Sequence, residues 1–171
     1  MDADALKKIQ APLKAKYRDD PQTAVITLKA EGELGSKQLV CSVDTGRALV
    51  EAGLHPATGG DGTSACSGDM LLQALVACAG VTLAAVATAL EIDIKSGHVR
   101  AEGDLDFRGT LGVDKEAPVG FSDIRLDFDL DTDAEEDKIA TLLKLTERYC
   151  VVYQTLLARP PITVGHTIAK S

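Results

Sequence analysis

Asp69–Ile92, DMLLQALVACAGVTLAAVATALEI, is the stretch whose reading decides the fold. After Asp69 its polar side chains are Gln73, Thr82, Thr88 and Glu91, so a helix built from it is apolar on nearly every face. Such a helix is expected to be buried on all sides, with the rest of the chain arranged around it. Cys78 lies near its middle among Ala77, Ala79 and Gly80, small residues that let other backbone or a ligand come close. The stretch is also long enough to span a bilayer. Acidic flanks at Asp69, Glu91 and Asp93, with no adjacent Lys/Arg cluster and no interfacial Trp or Tyr, favour a core helix instead.

Downstream of it, Val99, Ala101, Leu105 and Phe107 alternate with Arg100, Glu102, Asp104 and Asp106, the pattern of a half-buried strand. After the loop GTLGVDKEAPVG, Ile124, Leu126, Phe128 and Leu130 alternate with aspartates and Arg125. The two runs form an expected antiparallel hairpin whose outer face is acidic and solvated. A calcium site would need converging ligands, which an alternating strand does not supply. Thr132-x-x-Glu135 has capping-box spacing and opens a helix with Ile139, Leu142 and Leu143 inward. That helix, or helix pair, runs through LTERYCVVYQTLLA to Arg159, where Pro160 and Pro161 stop it. Ile162, Val164 and Ile168 suggest a closing strand.

Upstream, Ser67 is the expected N-cap of the central helix, with Asp69 opposing the dipole of its first turn. HPATGGDGTSACSG before it is a long Gly/Ser-rich loop. Thr23–Glu31 reads as a strand, Gly32–Ser36 as a turn and Leu39, Cys41 and Val43 as one face of the next strand, giving a first hairpin. A turn at Asp44-Thr45-Gly46 leads to a further short element. Leu6, Ile9, Leu13 and Tyr17, spaced by three and four, predict an amphipathic N-terminal helix interrupted or kinked near Pro12. Hairpins grouped around long helices indicate an α+β fold with antiparallel pairing.

The 171 residues suit one domain, an N-terminal arm over 1–20 and a core over 23–168. A formal charge of -8 disfavours nucleic acid or an anionic membrane surface as partner. The first twenty residues carry neither an apolar secretory core nor an A-x-A cleavage pattern, so a cytoplasmic location is expected, and with it four reduced cysteines.

Most catalytic patterns are missing: no G-x-S-x-G elbow, no P-loop, no H-E-x-x-H and no C-x-x-C. His55, His98 and His166 are too scattered for a zinc site, and neither metal nor cofactor is expected. What remains is Cys78 and Cys150, one in each apolar helix. A lone cysteine in such a place is usually core filling, but two in reach of each other make a redox cycle: an oxidised first thiol condenses with the second into a reducible disulfide. Cys66, in the loop before the central helix, is a weaker rival for the second role. A thiolate in apolar surroundings needs a compensating cation, for which Arg18, Arg47 and Arg148 are candidates.

SGDMLLQALVACAGVTL (67–83) and LTERYCVVYQTL (145–156) resemble the two cysteine-bearing helices of the OsmC/Ohr family of thiol peroxidases, and the order of elements agrees over most of 23–168. The resemblance implies an intertwined α+β homodimer with both cysteines near its interface. It implies reduction of hydroperoxides, organic ones above all in the Ohr branch, with Cys78 as the peroxidatic thiol, Cys150 as the resolving thiol and an external dithiol as reductant. Asp69 falls where many members have Glu. Asp69 is the shorter acid, Gly68 stands in place of a common Pro, and the turn EGELGSK lacks the activating Arg of the Ohr branch, so the osmotically inducible or uncharacterised branches fit better. Helix geometry sets Asp69 about 13 Å and roughly 180° from Cys78, so it either supports the helix terminus or serves the Cys78 of a second subunit. The competing expectation is a binding module that holds a small hydrophobic ligand and uses neither thiol.

Overall fold

The computed structural model describes residues 2–25, 27, 31–34, 40–44 and 49–168. In chain order it holds α1 (Ala3–Asp19), a 3-10 turn (Pro21–Ala24), β1 (Glu31–Leu34), β2 (Val40–Asp44), β3 (Leu49–Gly53), a second 3-10 turn (Pro56–Thr58) and β4 (Ala65–Cys66). Then come α2 (Ser67–Ala89), β5 (Ser96–Leu105), α3 (Phe107–Thr110), β6 (Phe121–Asp131), α4 (Glu136–Tyr149) and α5 (Val151–Ala158). β1, β2 and β3 pair antiparallel, and β4 joins β3 in parallel. β5 and β6 form a separate antiparallel pair. The fold is the expected α+β arrangement of hairpins around a long apolar helix.

The β5–β6 register sorts the side chains of the hairpin onto two faces. Val99 opposes Phe128 and Ala101 opposes Leu126 on the face turned to α2, while Arg100 opposes Asp127 and Glu102 opposes Arg125 outside. Cross-strand pairs of this kind are what stabilises a sheet. Asp104 faces Asp123, and Arg125 bonds both, at 2.7 and 2.5 Å, which relieves the like-charge contact. A Cβ at Gly103 would stand 2.5 Å from the Phe121 ring, so only glycine lets that ring lie across the strand. Phe107, expected on the strand, begins α3 instead, capped by the Asp106 carboxylate.

α2 is the central element, touching α4, α5, β5, β4 and α1. Its buried side chains are Leu75, Ala79, Leu83 and Ala87, one ridge at every fourth position. At one end Leu83, Ala87 and Ile92 pack on Leu142 of α4, and at the other Leu75 and Ala79 pack on Cys150. The opposite face is not covered by the described residues: Val81 is 74% exposed, and Leu71, Ala74, Ala77 and Ala84 are exposed beside it.

Several local expectations are corrected. Thr23 and Ala24 lie in a 3-10 turn because the Asp20 carboxylate accepts from the Gln22 N–H across Pro21; the described part of the strand is Glu31–Leu34, and Ile26 and 28–30 lie outside the described residues. Gly32–Leu34 belongs to β1, while Gly35 and Ser36 of the expected turn, Leu39, and Thr45 and Gly46 of the next turn lie outside the described residues. α1 is one helix through Pro12, with Ile9 and Leu13 about half exposed. Cys66, not Ser67, is the N-cap of α2, because Ala65 and Cys66 are drawn out as β4 along β3. The Thr132–Glu135 box does not form: the Thr132 hydroxyl donates to the Asp93 carbonyl at 2.6 Å, and α4 starts a turn later. Residues 160–168 form no strand in this chain, and Ile162, Val164 and Ile168 are 88%, 89% and 75% exposed.

Leu142, fully buried between α2 and α4, anchors the larger cluster. Leu142→Ala is expected to lower the unfolding free energy by about 2–5 kcal/mol in urea denaturation; a loss well under 1 kcal/mol would contradict the core described here.

Candidate active site

Cys78 is placed by the ridge of α2. Ala79 beside it is wholly buried, and Gly80 brings the helix within 3.7 Å of a Val99 methyl, measured from where its Cβ would be. The small residues at the waist are thus used by β5 to close onto the helix. Cys78 itself lies on the flank between this packed side and the open face, half-buried.

Cys150 is placed by a break. The sequence allowed one helix or two here, and two form: α4 ends at Tyr149, Cys150 is extended at φ -71 and ψ 108, and α5 starts at Val151. The Cys150 N–H still donates to the Thr146 carbonyl and its own carbonyl accepts from Gln154, both at 2.9 Å, so this residue closes one helix and opens the next. Gln154 also reaches back, its Nε2 donating to the Glu147 carbonyl at 2.9 Å, which braces the joint. Buried Thr146 satisfies its hydroxyl on the Leu142 carbonyl. Cys150 is 1% exposed and packs with Leu75 and Ala79.

The break brings the two thiols together. Burial pushes the Cys78 thiol up, but hydrogen bonds from the Val152 N–H, the Cys150 thiol, the Val151 N–H and the Thr82 hydroxyl outweigh it, so Cys78 sits below the ordinary cysteine range. For Cys150 burial pushes upward, the N–H groups of Tyr153 and Val152 only partly offset it, and the neighbouring Cys78 adds to the rise. The pair is therefore polarised, Cys78 being the more acidic thiol and Cys150 the less acidic one. Both remain free, as does Cys66. A cysteine whose pKa is lowered by nearby donors is the more nucleophilic one near neutral pH.

The other predicted residues lie elsewhere. Asp69 is exposed in the first turn of α2, nine positions and about 13 Å of helix from Cys78, beside a shallow hollow that it shares with Gln73 and Ala77. Cys66 is farther still along the same helix, about 18 Å away. Arg18 is exposed on α1 and donates to the Lys14 carbonyl at 3.2 Å; Arg148 lies over the Tyr149 ring at 5.7 Å. Among the described residues no guanidinium is one of the groups that lower Cys78. Arg47 lies outside the described residues. Sequence reasoning missed Thr82 and the α5 amides. Thr82 had a legible signal, four residues after Cys78 on the same helix face; the amides had only the poor helix propensity of Val151-Val152.

An open groove of about 710 Å³ lies between β6 and the last helices, and neither Cys78 nor Cys150 lines it. Leu75, Leu126, Tyr153 and Leu156 line it, with Glu147 and Arg159 at the polar edge. Leu75, Tyr153 and Leu156 also pack in the cluster that holds Cys78 and Cys150.

A family model described as OsmC-like protein matches residues 60–165. A search of the curated proteins finds no match. Among solved structures, an OsmC-like protein from Mycoplasma pneumoniae superposes with a TM-score of 0.64 at 17% identity, over 77% of this chain and 88% of that one. An organic hydroperoxide resistance protein OsmC from Legionella pneumophila does so at 0.60 and 15% identity, over 77% and 90%. An organic hydroperoxide resistance protein from Elizabethkingia anophelis gives 0.59 and 16% identity, over 77% and 89%. At these identities the likeness is one of fold.

The opposite shifts of the two thiols fix their order of reaction. As pH rises, Cys78 loses its proton first, so between the two titrations iodoacetamide is expected to label Cys78 and spare Cys150, as read by peptide mass spectrometry. Equal labelling of both across that window would contradict the polarised pair.

Proposed function

The chain belongs to the OsmC-like protein family, and from that premise we propose that it is a cysteine-dependent peroxidase for organic hydroperoxides. The observation that carries the reading is Cys78 and Cys150 packed in one apolar cluster with opposite shifts, Cys78 lowered and Cys150 raised. The thiolate attacks the terminal oxygen of ROOH; an S–O bond forms, the O–O bond breaks, and the departing alkoxide takes a proton to become ROH. Cys78 is left as a sulfenic acid. Cys150 then attacks the Cys78 sulfur, forming the S–S bond and releasing the oxygen as water with the Cys150 proton. An external dithiol supplies two electrons and two protons, restoring both thiols and leaving as a disulfide. The half-buried attacking thiol and the buried resolving thiol suit this order. A reducing compartment such as the cytoplasm suits the three free thiols among the described residues.

The groove's apolar wall of Leu75, Leu126, Tyr153 and Leu156, which belongs to the same cluster as the thiols, supports an organic rather than a bare peroxide as substrate. It also favours the second reading, a carrier of a small hydrophobic ligand with spectator thiols. Native mass spectrometry distinguishes them, since a carrier retains a bound lipid and leaves added hydroperoxide unreduced.

Two apolar features of this chain support a homodimer: the open face of α2 around Val81, and the extended segment bearing Ile162 and Val164. In the proposed dimer a second copy covers both, the exchanged segment makes it intertwined, and Asp69, distant from its own Cys78, serves the Cys78 of the second copy.

Cys78→Ser is expected to reduce turnover of an organic hydroperoxide to the uncatalysed rate, whereas Cys150→Ser performs one turnover and stops at a sulfenic acid trapped by dimedone. Full turnover by Cys78→Ser would sink the assignment. Val81→Glu is expected to convert a dimer into a monomer in sedimentation velocity; a chain that sediments as a monomer before the change would contradict the dimer.

A further inference from the structure

The formal charge of -8 is not spread evenly along the chain. α1 holds five of the 18 Lys and Arg residues, Lys7, Lys8, Lys14, Lys16 and Arg18, against two carboxylates, Asp4 and Asp19. Such a local excess decides what the arm attracts, because charges more than about 10 Å away are largely screened at ordinary ionic strength.

At about 100° per residue, Leu6, Ile9, Leu13 and Tyr17 fall within an arc of about 80° on α1. Lys7, Lys14 and Arg18 border that arc on one side and Lys16 on the other, while Asp4 and Asp19 lie on the far side with Lys8. The stripe is only partly covered: Leu6 and Tyr17 are half-buried, but Ile9 is 54% and Leu13 45% exposed. Asp2 and Ala3 share a hollow with Ala87, Thr88 and Glu91 at the end of α2, and from Lys7 to Asp19 every residue except Gln10 and Tyr17 is exposed. Among the described residues none of the five cations is in an ion pair; Lys95, Arg108 and Arg125 make the pairs. A helix of this length gains most of its stability from packing its apolar stripe, so α1 is built to be covered.

We propose that α1 lies on the surface of an anionic lipid bilayer, with Ile9 and Leu13 in the acyl boundary and the flanking cations at the headgroup phosphates. A bilayer supplies both chemistries that the helix presents, an apolar layer for the stripe and negative charge along its borders. Nucleic acid offers phosphates without the apolar layer, and so does the acidic outer face of β5 and β6 on a second copy. The lysine stems are long enough to reach the headgroups from beside the stripe. The acidic remainder of the chain is repelled, so only the arm is drawn in and the attachment is reversible. The thiols play no part in it, and α1 lies outside the residues 60–165 that match the family model.

Flotation of the full chain with vesicles of equal parts phosphatidylglycerol and phosphatidylcholine is the test. The protein is expected to float with these vesicles, to stay below vesicles of phosphatidylcholine alone, and to be released at about 1 M salt, where the screening length is about 3 Å. The combined change Lys7→Gln, Lys14→Gln and Lys16→Gln lowers binding by about tenfold or more, whereas Lys144→Gln, at an exposed position on α4, leaves it unchanged. Leu13→Trp places a single tryptophan in a chain that has none, and its emission moves to the blue on the anionic vesicles only. A protein that does not float with them, a triple variant that floats like the wild type, or an unshifted tryptophan overturns the proposal. It falls equally if Ile9→Ser with Leu13→Ser turns a dimer into a monomer in sedimentation velocity and leaves flotation unchanged, which makes a second copy the cover. Capture of duplex DNA by a chain that ignores the vesicles, lost in the triple variant, assigns the cations to nucleic acid instead.

Discussion

The break between α4 and α5 is the constraint from which the site follows: α4 stops at Tyr149 and a single extended residue, Cys150, turns the chain before α5 begins. Had the helix continued, the amides of Val151 and Val152 would bond to carbonyls a turn earlier. The same break distinguishes the two cysteines. Cys150, buried within it, is the less acidic thiol, and Cys78 on the neighbouring helix is the more acidic one. Packing and chemistry are thus coupled: Leu142 of α4 seats on Leu83 of α2, and that seat carries the joint up to the level of Cys78.

α2 serves two sides unequally. One ridge is filled by α4, α5 and β5, while the opposite face presents Val81, Ala74 and Ala84 to solvent. So apolar a helix left half open is under-packed for an isolated chain, since contiguous exposed apolar surface usually marks an interface. Charge is kept away from this region. The acidic side chains of β5 and β6 point outward, where Arg125 ties Asp104 to Asp123. These exposed pairs add little stability, but their solvated face orients the hairpin so that Val99, Leu126 and Phe128 turn to the thiol cluster.

Much of this was legible in the residues. The apolar run from Met70 to Leu90 and the clean alternation through Val99–Leu105 and Ile124–Leu130 are strong periodic signals, and they located α2, β5 and β6. Cys78 and Cys150 stood out because other reactive constellations were missing. Local cues misled where a competing partner was available: Thr132 had a cap spacing but bonded Asp93 across the fold, and Thr23 alternated like a strand but followed the Asp20–Pro21 cap. The break at Cys150 carried no Gly or Pro to announce it. Gln154 braces the gap by donating to the Glu147 carbonyl, a contact that no local pattern encodes. Ile162, Val164 and Ile168 have strand periodicity, but no sheet edge among the described residues receives them.

The central claim, that Cys78 attacks and Cys150 resolves, is tested most directly by mass spectrometry of the reduced protein after one equivalent of an organic hydroperoxide. The account predicts a single product lacking two hydrogens, in which the peptides bearing Cys78 and Cys150 are joined and Cys66 remains free to alkylate. A protein whose Cys78 stays alkylatable while the peroxide persists, or a cross-link that runs through Cys66 instead, would contradict it.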